Sequence, residues 1–308
     1  MSNDLLFGKE GNTYANIFTY MGYPLSRELS DKVDAVVMGV PYDLATSARP
    51  GTRLGPTAIR QASAQLRWES KRWPYTFSLA DKLTAIDYGD IDYNIGDHEN
   101  MLHNVSQQAA KIVSEGKVLL TLGGDHYVTL PLLRGISEHH GKMALIHFDA
   151  HTDNETGFEG HYHGSMFHHA PIEGLIDADK TIQIGIRTEY DYDSHPFQVI
   201  NGSEANTLSV DAIVRRILET VRDTPAYLSF DIDCLDPAFA PGTGTPVAGG
   251  LSSDKCLQII RGLSSANIVA MDIMEVAPAY DQAEITALAA ATLALEMLYM
   301  VASTREDR

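Results

Sequence analysis

Seven short apolar runs recur along the chain, and helical patterns lie between many of them. The runs are DAVVMGV (34–40), LTAIDYG (83–89), KVLLTLG (117–123), KMALIHF (142–148), TIQIGI (181–186), AYLSFDI (226–232) and IVAMDIM (268–274). Most are continuously apolar rather than alternating, as in strands covered on both faces of a parallel sheet. The helical patterns span roughly 98–115, stopping at Gly116, then a segment from Thr129, then 209–221 behind the N-cap Ser209, and finally the Ala/Leu-rich 284–303. In GTRLGPTAIR a loop leads into a further helix with Pro56 in its first turn. Strand–helix alternation predicts right-handed crossovers and helices on both faces of an open α/β sheet. No Pro/Gly/Ser-rich linker, repeat or low-complexity tract breaks the 308 residues, so residues 1–308 are expected to form one domain.

Sheets of this kind bind ligands at the carboxyl ends of their strands. Four of the runs end there in unusual polar groups: GGDH (123–126), DAHTD (149–153), DIDCLDP (231–237) and Glu275-Val276. One Asp at a strand end is ordinarily a cap or a turn, and one His in GGDH is ordinarily a satisfied buried histidine. Gly123-Gly124 is no phosphate loop, since no Gly-Lys-Ser/Thr follows. Four such ends together are a constellation, and it holds together only if the segments between 123 and 275 converge.

Asp149, His151 and Asp153 recur at every second position, so the first two would project to one side where the strand frays into a loop, and Asp231 and Asp233 repeat the pattern one strand over. Four carboxylates packed together cannot all stay ionised without compensation, and two divalent cations would balance them. With His126 and His151 the donor set is carboxylate-rich with two imidazoles. It suits Mn²⁺ better than a structural zinc site, and Mg²⁺ less well. Cys234 is out of phase with the aspartates and is expected to face away. His147 is in phase, and is read as either a supporting or a core residue.

Composition narrows the function classes. A net charge of -18, from 41 acidic and 23 basic residues, argues against nucleic acid and suits a cationic substrate. Two cysteines make no disulfide framework and point to a reducing compartment, hence the cytoplasm. No apolar run is read as a membrane span, and MSNDLLFGKE lacks the basic and apolar regions of a signal peptide. Asn201-Gly202-Ser203 has the form of a glycosylation sequon, without meaning in such a setting.

The order GGDH, DAHTD, His163-Gly164, SFDIDCLDP, GTGTP and MEV resembles the ureohydrolases, the arginase–agmatinase family, and the bacterial agmatinases most nearly. The resemblance runs over nearly the whole chain and includes GVPYDLATSARPGTRLGPTAIR (39–60). It implies a three-layer α/β/α sandwich with a mostly parallel eight-stranded sheet, two Mn²⁺ per chain, and a homo-oligomer, trimer or hexamer. Matched residue by residue, it implies one ion held by His126, Asp149, Asp153 and Asp231. The other would be held by Asp149, His151, Asp231 and Asp233, with Asp149 and Asp231 shared.

The implied reaction is hydrolysis of a small guanidino compound. A guanidinium is cationic and resonance-stabilised, so attack needs a strong nucleophile, and a hydroxide bridging two metals is one. Asp153 and His163 would relay protons to the leaving amine, Glu275 would orient the guanidinium fork, and Thr245 would add a contact. Arginases carry Asn where this chain has Glu155, two residues beyond the last Asp of DAHTD. A carboxylate there repels the carboxylate of arginine or 4-guanidinobutyrate and tolerates the amine of agmatine, which yields urea and putrescine. The rivals are a hydrolase of one of those other guanidino compounds, a one-zinc deacylase of related fold, and a catalytically silent metal-binding protein. The His-rich HYHGSMFHHA (161–170) and the arginines of 47–60 have either local or site roles on this reading.

Overall fold

The computed structural model describes residues 18–157 and 160–305, so the N-terminal segment read for a signal peptide lies outside the described residues. Eight parallel strands form one sheet: β1 (Ala35–Gly39), β2 (Ala85–Asp90), β3 (Val118–Leu122), β4 (Met143–Phe148), β5 (Ile176–Ile184), β6 (Gln198–Ile200), β7 (Ala226–Asp231) and β8 (Ile268–Met274). Their order is β2-β1-β3-β8-β7-β4-β5-β6. Successive side chains of β1 feed different cores. Ala35 and Val37 join the core beneath the helices α1 (Gly55–Ser63), α6 (Val210–Val221), α7 (Ser253–Gly262) and α8 (Ile285–Ala302). Val36 and Met38 join the core beneath α2 (His98–Ser114), α3 (Thr129–His140) and α4 (Met166–Ile172). Helix α5 (Gly202–Thr207) follows β6. Strands covered on both sides need apolar residues at nearly every position, which is why their sequences do not alternate.

The seven strands read from the sequence are all present. β5 begins earlier than expected, at Ile176, because its first half (IDADK) is polar. The eighth strand, β6, has three residues at the sheet edge and carries no pattern of its own. The cap expected at Ser209 forms, its side chain accepting from the Ala212 amide, and Asn201 of the sequon, not read as a cap, caps α5 by accepting from the Glu204 amide.

One expectation needs correcting. Helix α8 has 18 residues with mean hydropathy 1.8, enough in length and composition to cross a membrane. Its environment explains the composition: 72% of it is buried inside the protein. It also holds a fully buried carboxylate, Glu296, which accepts from Tyr75 Oη at 2.7 Å and Arg261 Nε at 2.9 Å. An all-round apolar helix is what a core position requires.

The strand order explains the convergence of the motifs. β3, β8, β7 and β4 are consecutive neighbours in mid-sheet, and all point the same way. Their carboxyl ends therefore lie side by side, although the segments span residues 123 to 275 in sequence.

Candidate metal centre

His126 opens a short 3-10 turn after β3, and its ring is fully buried. Nδ1 lies 3.2 Å from Asp149 Oδ2, 3.1 Å from Asp153 Oδ2 and 3.1 Å from Asp231 Oδ2. Nε2 donates to Ser229 Oγ at 2.8 Å, and that hydroxyl donates in turn to Asp272 Oδ1 at 2.8 Å. Asp272 is saturated with donors, since Oδ2 also accepts from Thr129 Oγ1 at 2.7 Å and Tyr227 Oη at 2.6 Å. The ring's Nε2–H is thus committed to Ser229, and Nδ1 faces the three carboxylates, protonated without metal and free to offer its lone pair once that proton leaves. This is how a buried histidine presents itself to a cation.

Asp149 faces two clusters. Oδ2 joins His126 and Asp153, while Oδ1 lies 3.3 Å from His151 Nδ1, which is 3.1 Å from Asp233 Oδ2. Donor atoms of His126, His147, Asp149 and Asp153 lie within 4.8 Å of one another, as do those of Asp149, His151 and Asp233. Asp231 sends Oδ2 to the first cluster, and its Oδ1 accepts the Asp233 amide at 2.8 Å. His147 Nε2 also lies in the first cluster, 2.8 Å from Asp149 Oδ2. The buried oxygens and imidazole lone pairs of the two clusters, anionic in sum, fit divalent cations.

The aspartates do not reach these places by strand alternation. β4 ends at Phe148, so Asp149 to Asp153 lie in a loop, and Asp233 sits in the 3-10 turn Ile232–Cys234. Asp153 has φ 49 and Glu275 has φ 65, a left-handed backbone that costs a non-glycine residue ~1–2 kcal/mol. The Phe167 amide holds the Asp153 carbonyl at 2.9 Å, and the Glu275 amide donates to Gly124 O at 2.9 Å. Gly124 itself admits no side chain, since a Cβ there would meet Tyr42 O at 1.7 Å. Cys234 turns away toward Ile184 O and the core, as expected.

Glu275 is fully buried. Oε1 accepts from the His126 amide at 2.9 Å and lies 2.9 Å from His163 Nδ1, while Oε2 has no hydrogen-bond partner among the described residues. Beside Oε2 stands Gly244, whose Cβ, if present, would lie 3.2 Å from it. His163 Nε2 accepts from the Ser47 amide at 3.0 Å and lies 2.6 Å from Ser47 Oγ. Burial lowers the His163 pKa, but Glu275 outweighs it and pushes the pKa to about 9. The Ser47 amide opposes protonation, since it pairs only with an unprotonated nitrogen, so the geometry is that of the neutral ring.

Asp153, His163, Thr245 and Glu155 line one cavity of about 180 Å³ with Ser47 and Tyr162. Thr245 Oγ1 points to Asp233 Oδ2 at 3.3 Å. Glu155 is exposed, and Tyr162 Oη donates to its carboxylate. The arginines of the 47–60 segment prove to have local partners: Arg53 pairs with Asp43, Arg60 with Asp87 at 2.8 Å, and Arg49 lies over the Tyr280 ring. His161 and His169 of the His-rich piece pack against each other with their rings tilted by 58°.

Sequence reasoning missed Ser47, Asp125, Gln183, Ser229 and Asp272. Asp125 accepts from the Ala45 amide at 2.8 Å and anchors the loop that carries Ser47. Asp272 and Gln183 carried a signal, each a polar group inside an apolar run, and Ser47, Asp125 and Ser229 lie within the motifs of 39–60, GGDH and SFDIDCLDP without standing out there.

Without metal, the centre holds protons. Burial alone would lower the His126 pKa, but Asp149, Asp153 and Asp231 hold it well above the usual range. Burial likewise opposes His151, which Asp233 and Asp149 push up to about 12. Burial and Asp149 raise Asp153 to about 7. These are raised values, so both imidazoles stay charged at pH 7, and an incoming cation must displace their protons. Apparent metal affinity should therefore rise with pH, about tenfold per pH unit for each proton displaced. Calorimetric titration of metal-depleted protein in buffers of different ionisation enthalpy should count about two protons released. Release of none would contradict this electrostatic reading.

The Arginase family profile matches residues 33–299. The agmatinase of Serratia proteamaculans is 53% identical over 297 residues, covering 96% of this chain and 97% of that protein. Among solved structures, a hypothetical agmatinase from Burkholderia thailandensis superposes with TM-score 0.90 at 46% identity, over 95% of this chain and 93% of that one. Proclavaminate amidino hydrolase from Streptomyces clavuligerus superposes with TM-score 0.88 at 36% identity, over 95% and 99%.

Proposed function

The chain belongs to the arginase family, and from that premise we propose that it hydrolyses agmatine to urea and putrescine. The observation that carries the reading is Glu275, a fully buried carboxylate with one oxygen committed and the other without a partner. A buried anion with a free oxygen is costly unless a cation arrives, and a planar guanidinium supplies both charge and donors. The agmatinases among the relatives support agmatine as the guanidino compound.

In this reading His126, Asp149, Asp153 and Asp231 would hold one Mn²⁺, and Asp149, His151, Asp231 and Asp233 would hold a second. The two-sided contacts of Asp149 support its shared role. The shared role of Asp231 rests on the family resemblance. Two such ions would lower the pKa of a water between them and supply a nucleophile at neutral pH. Glu275 presents the guanidinium carbon to that water. The Asp153 carboxylate would accept a proton from the attacking water and pass it toward the leaving amine. His163, pinned between Glu275 and Ser47, keeps a titratable nitrogen at the same cavity and completes the relay. Thr245 closes the cavity beside Asp233.

Glu155 lines the same cavity as Asp153 and His163, and there it would meet the amine of agmatine and repel the carboxylate of arginine or 4-guanidinobutyrate. Because Glu155 is exposed, the repulsion is screened and should yield about tenfold discrimination or less. The test is urea release from all three compounds with added Mn²⁺, for the native protein and Glu155→Asn. Agmatine should be the best substrate, and Glu155→Asn should narrow its lead over arginine without changing metal content. Preferred hydrolysis of arginine or 4-guanidinobutyrate by the native protein would overturn the assignment. An unchanged ratio in Glu155→Asn would remove Glu155 from selection.

The same reading takes residues 1–308 as one domain that assembles as a trimer or hexamer in the cytoplasm, without nucleic acid or membrane. Support comes from the free, buried thiols of Cys234 and Cys256 and from the strongly acidic composition. Light scattering on the purified chain tests the assembly.

A further inference from the structure

Gln183 of β5 stands in register beside His147 of β4, and both are fully buried. Three partners of the Gln183 amide leave it one arrangement. The Thr152 carbonyl, 2.7 Å away, can only accept, so the atom facing it is Nε2. The second hydrogen on Nε2 points to His147 Nδ1 at 2.9 Å, which must therefore be an acceptor. Oε1 then faces His195 Nε2 at 2.8 Å and accepts from it. With Nδ1 an acceptor, a neutral His147 carries its proton on Nε2, and that proton goes to Asp149 Oδ2 at 2.8 Å. Asp149 Oδ1 accepts from the His151 amide at 2.6 Å. Both oxygens of the carboxylate that faces both clusters are thereby pinned.

We propose that Gln183 is a positioning residue of the centre: it fixes the His147 tautomer, and through His147 it sets the plane of the Asp149 carboxylate. The inference rests on the two-metal reading above. The terminal torsion of an Asp side chain is soft and broadly populated, so a carboxylate shared between two ions needs outside help to keep its plane. The opposite tautomer would set a lone pair of His147 Nε2 against Asp149 Oδ2 and turn the carboxylate away. Gln183 lies in TIQIGI, outside every strand-end motif, and its bond to the Thr152 carbonyl also ties it to the loop between His151 and Asp153.

The test compares the native protein with Gln183→Met, which keeps the bulk of the side chain and removes all three hydrogen bonds. Two readouts are needed. Nitrogen-15 spectra of the metal-free native protein, with the His147 signals assigned through His147→Gln, should show the proton on Nε2; Gln183→Met should show mixed tautomers. In titrations with Mn²⁺ alone, Gln183→Met should bind both ions about 10–100-fold more weakly, the scale expected for an orienting partner. At saturating Mn²⁺ its KM for agmatine should match the native value. A native His147 protonated on Nδ1 would overturn the proposal whether or not the variant folds, and so would native-like affinity of Gln183→Met for both ions. If the native protein does not take up two ions, the two-metal reading fails first, and the tautomer spectra still report on Gln183 separately.

Discussion

Replacing Asp149 with Asn should weaken both ion positions at once and lower urea release by on the order of 10³-fold or more, the scale set by losing a charge that organises the transition state. The cause is geometric. Asp149 Oδ2 faces His126 and Asp153, and Oδ1 faces His151 and Asp233. No other side chain among the described residues belongs to both clusters of donor atoms. Asn keeps the shape and one acceptor but removes the charge. Its amide group also meets a proton donor, His147 Nε2–H, on one side, so the side chain cannot satisfy both neighbours in place. His126→Ala, by contrast, touches one cluster and should weaken one ion mainly. Metal analysis of both variants after Mn²⁺ reconstitution checks this. Two ions bound by Asp149→Asn at native affinity would mean that Asp149 is not the shared ligand.

Glu275→Gln should lower kcat/KM by ~10²–10³-fold while metal content stays unchanged. The substitution is nearly isosteric, and Gln Oε1 can still accept from the His126 amide and from His163 Nδ1. What changes is the other atom: the unpartnered Oε2 beside Gly244 becomes an amide nitrogen. A donor there faces the donors of a guanidinium and carries no charge to hold it. Steady-state kinetics with agmatine, paired with metal analysis, separates loss of guanidinium binding from loss of the centre. Near-native kcat/KM would show that the free oxygen of Glu275 has no part in holding substrate.

Much of this architecture was legible in the sequence because parallel strands buried on both faces leave an unmistakable run of apolar residues, as in KMALIHF and IVAMDIM. The gathering of acids and imidazoles at strand ends was legible too, since GGDH, DAHTD and DIDCLDP interrupt such runs with them. The local geometry was not. Alternation suggested strand phase for Asp149, His151 and Asp153, yet β4 ends before Asp149 and Asp153 takes a left-handed backbone. The edge strand Gln198–Ile200 is too short to carry a period. The supporting layer was hidden for a different reason. Thr121, Asp272, Ser229, His147 and Gln183 occupy one row across β3, β8, β7, β4 and β5. That row exists only through strand order and register, neither of which a single sequence displays. His147 shows the limit well: its position beside Asp149 was visible, and its role as a hydrogen-bond donor to Asp149 depends on a glutamine 36 residues further along.

On the proposed mechanism the centre needs two divalent ions to hydrolyse agmatine. Metal-depleted protein titrated with Mn²⁺ tests it most directly, with bound metal and urea release from agmatine measured in the same samples. Activity should stay low while the first ion binds and should plateau as occupancy approaches about two ions per chain, as two-metal activation of water requires. Full activity at a saturating occupancy of about one ion per chain, or two ions bound with no urea released, would contradict the account.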